Sequence, residues 1–174
     1  MAKGDTFFLR TKLASVGTDY VSDDIDISAY TNPSQGRVLV VDRSFITFGT
    51  VGNGPIGAAN VVASGTGSKG IGVQVTSETQ TGLVEMTDTS LMAKVNYYAA
   101  VGVAGALTMI NEFSALNPGQ YTAGMIVPTD KIHCACQTGS AWNTQFDIGF
   151  LFEVHTEKLS LQRIQELLVS LTAN

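Results

Sequence analysis

Apolar and polar residues alternate along most of the chain with a period of two, the period that sends successive side chains to opposite faces of a strand. The first such run is Thr6 to Leu13, and a short one follows at Asp24 to Ser28. Turn chemistry at Asn32-Pro33-Ser34-Gln35-Gly36 then leads into one long run from Arg37 to Phe48. Beyond a Gly-rich loop at Gly49 to Gly57, the pattern predicts strands at Ala58 to Ser64, Gly70 to Ser77, Leu83 to Met86 and Leu91 to Ala99. Residues 100 to 107 fit neither period cleanly. Asn117-Pro118-Gly119 is a second strong turn, ahead of runs at Gln120 to Val127, Lys131 to Thr138 and Gln145 to His155. About ten short strands with no helices alternating between them predict an all-β chain folded as an antiparallel sandwich or barrel.

The period changes near the end. Phe146, Ile148, Phe150, Phe152 and Val154 share one face of a core strand, whereas Leu161, Ile164, Leu167, Leu168 and Leu171 fall on one stripe of a helix that Ser160 can cap. A helix of about three turns does not hold its shape alone in water. It must lie on the sandwich or on a neighbouring subunit.

Length and charge narrow the classes. The 174 residues suit one domain, 1–174, with 160–172 as its C-terminal helix. Ten Lys and Arg against fifteen Asp and Glu give a net charge of −5, which argues against a surface that neutralises a run of phosphates. No apolar stretch approaches the roughly 18 residues of a membrane span, and Lys3, Asp5 and Arg10 interrupt any leader-like start. Cys134 and Cys136 share one face of a strand at a spacing too wide for an undistorted disulfide, so both are expected to be reduced core residues.

No motif supports catalysis, and neither a cofactor nor a resident metal is expected. Gly65-Thr66-Gly67-Ser68-Lys69-Gly70 matches a dinucleotide fingerprint by letter, but the residues after it alternate as a strand instead of opening a helix. His133 stands beside Cys134 and Cys136, but alternation sends Ile132, Cys134 and Cys136 to one face and His133 to the opposite, surface-facing side, so the three ligands do not converge on one ion. Asp19, Asp23, Asp24 and Asp26 form one acidic cluster that a hard cation such as calcium would suit, although the spacing is not that of an EF-hand and a solvated edge or a subunit contact explains it as well. Glu85, Glu112 and Glu153 would need to converge to hydrolyse a glycoside, and the chain has a single tryptophan, Trp142, for stacking a sugar.

What distinguishes the chain is its lack of charge. Asp, Glu, Lys and Arg make up 14% of it, where a solvated monomer surface alone usually carries about 25 to 35%. Such a chain hides much of its exterior against copies of itself or against partners. The candidate contact residues are Phe7 and Leu9 in the first strand, Leu161, Ile164, Leu168 and Leu171 on the helix, and the Gly49 to Gly57 loop; for the helix stripe, packing within the subunit is the competing expectation.

Taken together, the N-terminal strand, Asp24 to Tyr30, the long strand Arg37 to Phe48, Pro128 to His133, and Ile148 to Val154 followed by a short helix resemble the single jelly-roll capsid proteins of tailless icosahedral viruses of archaea and bacteria, the group with an internal membrane. The resemblance implies a jelly-roll sandwich whose function is structural and spread over interfaces, with capsomers of copies and other capsid proteins as partners. It implies a place in the virion after synthesis in the host cytoplasm, and an internal membrane beneath the shell. Neither direct nucleic-acid binding nor a small-molecule substrate is expected, and Met1 to Asp5 is no basic arm. The alternative is a β-sandwich module that binds a ligand or a glycan.

Overall fold

The computed structural model describes residues 5–52, 67–101, 107–121, 124–142 and 144–172, with backbone alone at 67–68, 101, 107–116 and 171–172. Among these residues are nine strands: β1 (Phe7–Ala14), β2 (Val21–Asp26), β3 (Arg37–Thr50), β4 (Gly67–Thr76), β5 (Leu91–Val101), β6 (Leu107–Leu116), β7 (Met125–Val127), β8 (Lys131–Thr138) and β9 (Phe146–Lys158). One helix, α1 (Leu161–Thr172), closes the chain, and Ser160 Oγ accepts from the Arg163 amide at its start.

The pairing is nested. First strand pairs with last (β1 with β9), second with second-last (β2 with β8), third with third-last (β3 with β7), and β4 with β5 in the middle, all antiparallel. Rolling such a long hairpin over on itself gives a four-stranded sheet in the order β1-β9-β3-β7 against a second sheet in the order β2-β8-β4-β5-β6. This is the jelly roll, with β6 as one additional edge strand.

Alternation along each strand then makes the core. Phe146, Ile148, Phe150, Phe152 and Val154 of β9 face Ile71, Val73 and Val75 of β4 and Ile132, Cys134 and Cys136 of β8, all buried in one cluster. Both cysteines are free thiols, and burial pushes that of Cys136 up to about 11 and that of Cys134 higher still, which leaves them protonated and unreactive at neutral pH.

Several expectations need correction. Residues 83–86 form no strand: the segment 77–90 folds back over the outer face of the second sheet. Gln74 explains how, because its side chain is fully buried on that face; its Nε2 donates to Gly82 O at 2.9 Å and to Tyr20 Oη at 3.1 Å, while its Oε1 accepts from the Val84 amide at 2.8 Å. Leu107–Leu116 is a strand that the pattern did not isolate. Of the described residues in the run at 120–127 only Met125–Val127 form a strand, and Gln120 instead belongs to a 3-10 turn, Pro118–Gln120, that Asn117 caps. His133 is not on the surface. It sits on an inner strand between β2 and β4, is 7% exposed, and places Nδ1 2.5 Å from Asp24 Oδ1. The runs at 58–64 and most of the Gly49 to Gly57 loop lie outside the described residues, while Gly49 and Thr50 end β3.

Replacing Gln74 with alanine removes three hydrogen bonds and strands the Val84 amide and the Gly82 carbonyl, so it is expected to cost about 1 to 3 kcal/mol. Denaturant unfolding measures the loss, and hydrogen exchange should rise first in 77–90.

Candidate assembly surfaces

Strand β1 forms one edge of the first sheet, and its residues divide by parity. Phe7, Leu9 and Leu13 turn toward the core; Phe7 stacks against Tyr30 at 4.7 Å between ring centroids, and both Phe7 and Leu9 remain half-buried. The opposite parity carries Phe8, Arg10 and Lys12 outward. Phe8, a large apolar side chain at a position the alternation reserves for polar residues, is 55% exposed.

Across the same outer face, Arg10 pairs in register with Leu151 of β9, and Leu151 in turn with Phe45 of β3, which is 45% exposed. Phe8 lies diagonally from Leu151, within reach of a long side chain. The three make an apolar strip across three strands. Its charges are partly neutralised in place, Lys12 by Asp147 at 2.9 Å and Arg43 by Glu153 at 3.7 Å. Phe8 and Phe45 were missed by the sequence reading; the signal that finds them is an aromatic residue out of phase with its own strand.

The helix stripe divides as well. Ile164 is 3% exposed and docks the helix on its own subunit beside the Pro33–Gln35 turn, helped by the Leu159 amide donating to Gly36 O at 2.8 Å. Leu167 is half-buried, whereas Leu161, Leu168 and Val169 are exposed. The side chain of Leu171 lies outside the described residues. One stripe therefore holds the helix down with one edge and shows solvent the other.

Three of the four carboxylates of the acidic cluster are engaged locally. Asp23 accepts from Thr11 Oγ1, Asp26 from the Ser28 amide, and Asp24 from Lys131 Nζ at 3.2 Å as well as facing His133. No group of three or more His, Cys, Asp or Glu among the described residues is placed to hold a metal ion. Glu153 points out from the first sheet and Glu85 lies in the segment over the second, so these two carboxylates stand on opposite faces of the sandwich. The side chain of Glu112 is not described. Trp142 packs edge-on against Phe146 at 4.6 Å and is no open platform. Gly67 to Gly70 belong to β4, so the glycine fingerprint opens no helix.

His155 has a different setting. A register shift in β3 between Val41 and Arg43 frees Asp42 from the ladder, and its Oδ2 lies 2.7 Å from His155 Nδ1. Glu157 Oε1 stands 3.5 Å from the other ring nitrogen.

Comparison with solved structures aligns the chain with proteins of several viruses. Desmodium yellow mottle tymovirus aligns over 90% of this chain and 84% of that one at 12% identity, with a TM-score of 0.37. Turnip yellow mosaic virus aligns over 90% and 94% at 9% identity and a TM-score of 0.37. The VP1 of Trichodysplasia spinulosa-associated polyomavirus, solved with sialylated glycooligomers, aligns over 88% and 95% at 9% identity and a TM-score of 0.48. No family model and no curated relative matches the chain. None of these three structures supports the narrower resemblance to membrane-containing viruses of archaea and bacteria.

Burial alone would raise the Asp24 carboxyl, but hydrogen bonds from His133 and Lys131 and their charges outweigh it and hold the group below its ordinary value of 3.8. A carboxylate depressed on folding stabilises the protein above its unfolded value and loses that contribution as pH falls through the folded one. Asp24→Asn is therefore expected to destabilise the protein at neutral pH and to flatten the fall in melting temperature below pH 3.8, as thermal scans across pH would show.

Proposed function

We propose that this chain is a structural subunit that assembles with copies of itself into an icosahedral viral shell. The observation that carries the reading is the pair of apolar surfaces left after the fold is complete: the Phe8, Leu151 and Phe45 strip on the first sheet, and the Leu161, Leu168 and Val169 edge of α1. Two different surfaces on one subunit permit head-to-tail contacts, which close into rings and shells under rotational symmetry. Each contact of standard size buries about 1,200 to 2,000 Å² in total, and repetition makes modest contacts into a stable particle.

The open flank of β3 supports the same reading. Among the described residues, strand β7 pairs with it only at Leu39–Val41 and Asn117 Nδ2 donates to the Ser44 carbonyl at 2.9 Å, while the stretch from Phe45 to Val51 has no charged residue and no proline. Uncharged, β-prone edges are aggregation sites in a monomer unless something covers them. In a shell, a neighbouring subunit does.

The fuller reading places the shell over an internal membrane, with other capsid proteins beside it and assembly after synthesis in the host cytoplasm. It draws on the sequence resemblance and on the acidic balance of the chain, which suits contact with protein more than with packaged nucleic acid. Phe7 and Leu9 contribute to contacts through the faces they leave exposed. No step of this function asks for a catalytic group.

Two measurements test the proposal. Light scattering on size-exclusion fractions, with negative-stain microscopy of the largest species, is expected to show capsomers, rings or shells for the wild type. In Phe8→Asp/Phe45→Asp these should give way to a folded monomer of unchanged melting temperature. A wild type that stays monomeric at high concentration across salt, or a double variant that assembles normally, would sink the reading. The helix separates its two edges: Ile164→Ala should cost about 2 to 5 kcal/mol in unfolding experiments, whereas Leu168→Asp should change stability by less than about 0.5 kcal/mol while weakening assembly.

A further inference from the structure

The outer face of the second sheet carries a groove of about 540 Å³, within the roughly 300 to 1,000 Å³ of small-molecule sites. Its construction begins with Gly70 and Gly72, which stand side by side on the outward parity of β4, in a stretch where the ladder is regular on both flanks. Tyr98 and Leu83 approach these two backbone positions closely. Tyr98, paired with Gly70 in register, rises as one wall and is 44% exposed; Asn96, paired with Gly72 from the same strand, continues that wall. Gln137 of β8, on the other side of Gly72, forms the opposite wall. Leu83, brought in by the segment that Gln74 pins down, closes one end.

The glycines are required by this arrangement. A Cβ on Gly72 would lie 2.5 Å from Leu83 Cδ1, and one on Gly70 3.0 Å from the Tyr98 ring. Substitution at either position would displace a wall of the groove. Glycine within a strand weakens it and marks places where another group must approach the backbone closely. Here the approach of Leu83 and Tyr98 leaves a trough between two amide side chains.

The chemistry of the lining selects its occupant. Among the described residues that line it there is no carboxylate, ammonium, guanidinium or imidazole, so nothing in the groove neutralises a charged ligand. An exposed phenol ring offers a flat apolar face and a hydroxyl, while Gln137 and Thr18 offer donors and acceptors. A ligand matched to this has one face of C–H groups and a rim of hydroxyls. We propose that the groove binds an uncharged saccharide, its C–H face against the Tyr98 ring and its hydroxyls between Gln137 and the Asn96 wall. The inference does not rest on the shell reading, since a sandwich that never assembles presents the same groove.

Saturation-transfer NMR with lactose, maltose and chitobiose as neutral probes, and sialyllactose as a charged one, tests it. The expected result is transfer to at least one neutral disaccharide, with affinity reduced about tenfold in Tyr98→Ala and in Gln137→Ala while both variants keep the wild-type melting temperature. Gly70→Val, which pushes into the Tyr98 ring, should abolish the signal. No transfer to any neutral probe, transfer to the sialylated probe alone, or undiminished transfer in Tyr98→Ala would each overturn the proposal. So would a Tyr98→Ala variant that loses assembly in a protein that binds none of the sugars, because the groove would then be a contact between copies.

Discussion

Strand β9 is the element without which the sandwich does not close. It lies between β1 and β3, pairs with β1 from Phe146's neighbour Asp147 to Val154 and with β3 along its whole length, and supplies five consecutive inward side chains to the core. Its partner β1 begins at Phe7, which meets Val154 near the other end of the chain. Contacts of such sequence separation form late, since loop-closure entropy is lost before they return any stabilisation. Until β9 docks, β1 and β3 present free edges. The outward positions of β1 then matter: Arg10 and Lys12 oppose mispairing there, as Asp23, Asp24 and Asp26 do on the edge strand β2.

Much of this order is readable from the chain. The runs at 6–13, 37–48, 91–99, 131–138 and 145–155 are rich in β-branched and apolar residues, and the structure places strands there with ends shifted by a few residues. The failures share a cause. Leu83 and Val84 look like a strand because they are apolar, yet their burial comes from lying across a sheet, and the residue that fixes them is a glutamine nine or more positions earlier. Period-two reasoning has no means of giving a polar side chain that organising role. Likewise Val38, Leu39, Val40 and Val41 are all buried, which erases alternation at the start of β3.

Surface function was less legible than the core, for a physical reason. A core residue announces itself by phase, because every neighbour in the strand repeats the same preference. Phe7 and Leu9 were chosen as contact residues on hydrophobicity and are half-buried with one side on the core, whereas their neighbour Phe8 is exposed. The helix shows the same limit: five apolar residues on one stripe do not say which docks, and only the location of the Pro33–Gln35 turn decides that Ile164 is the anchor. His133 was assigned to the surface by parity alone, but an outward residue on an inner strand is shielded by neighbours on both sides.

The two sheets have consequently been given different exteriors. The first shows an apolar strip, and the pairing of Lys12 with Asp147 and of Arg43 with Glu153 lowers the desolvation cost of burying it against a flat partner. The second is overlaid by the segment 77–90, and beside that segment lies a concave groove whose described lining is uncharged, with an aromatic ring and amides. A flat apolar face favours a large rigid partner, because area is gained without ordering new groups. A concave polar one favours a small ligand that can satisfy every donor it desolvates. With 14% of residues charged, the chain has few means of keeping a surface merely soluble, and the placement of its glycines and out-of-phase aromatics divides that exterior into two faces suited to different occupants.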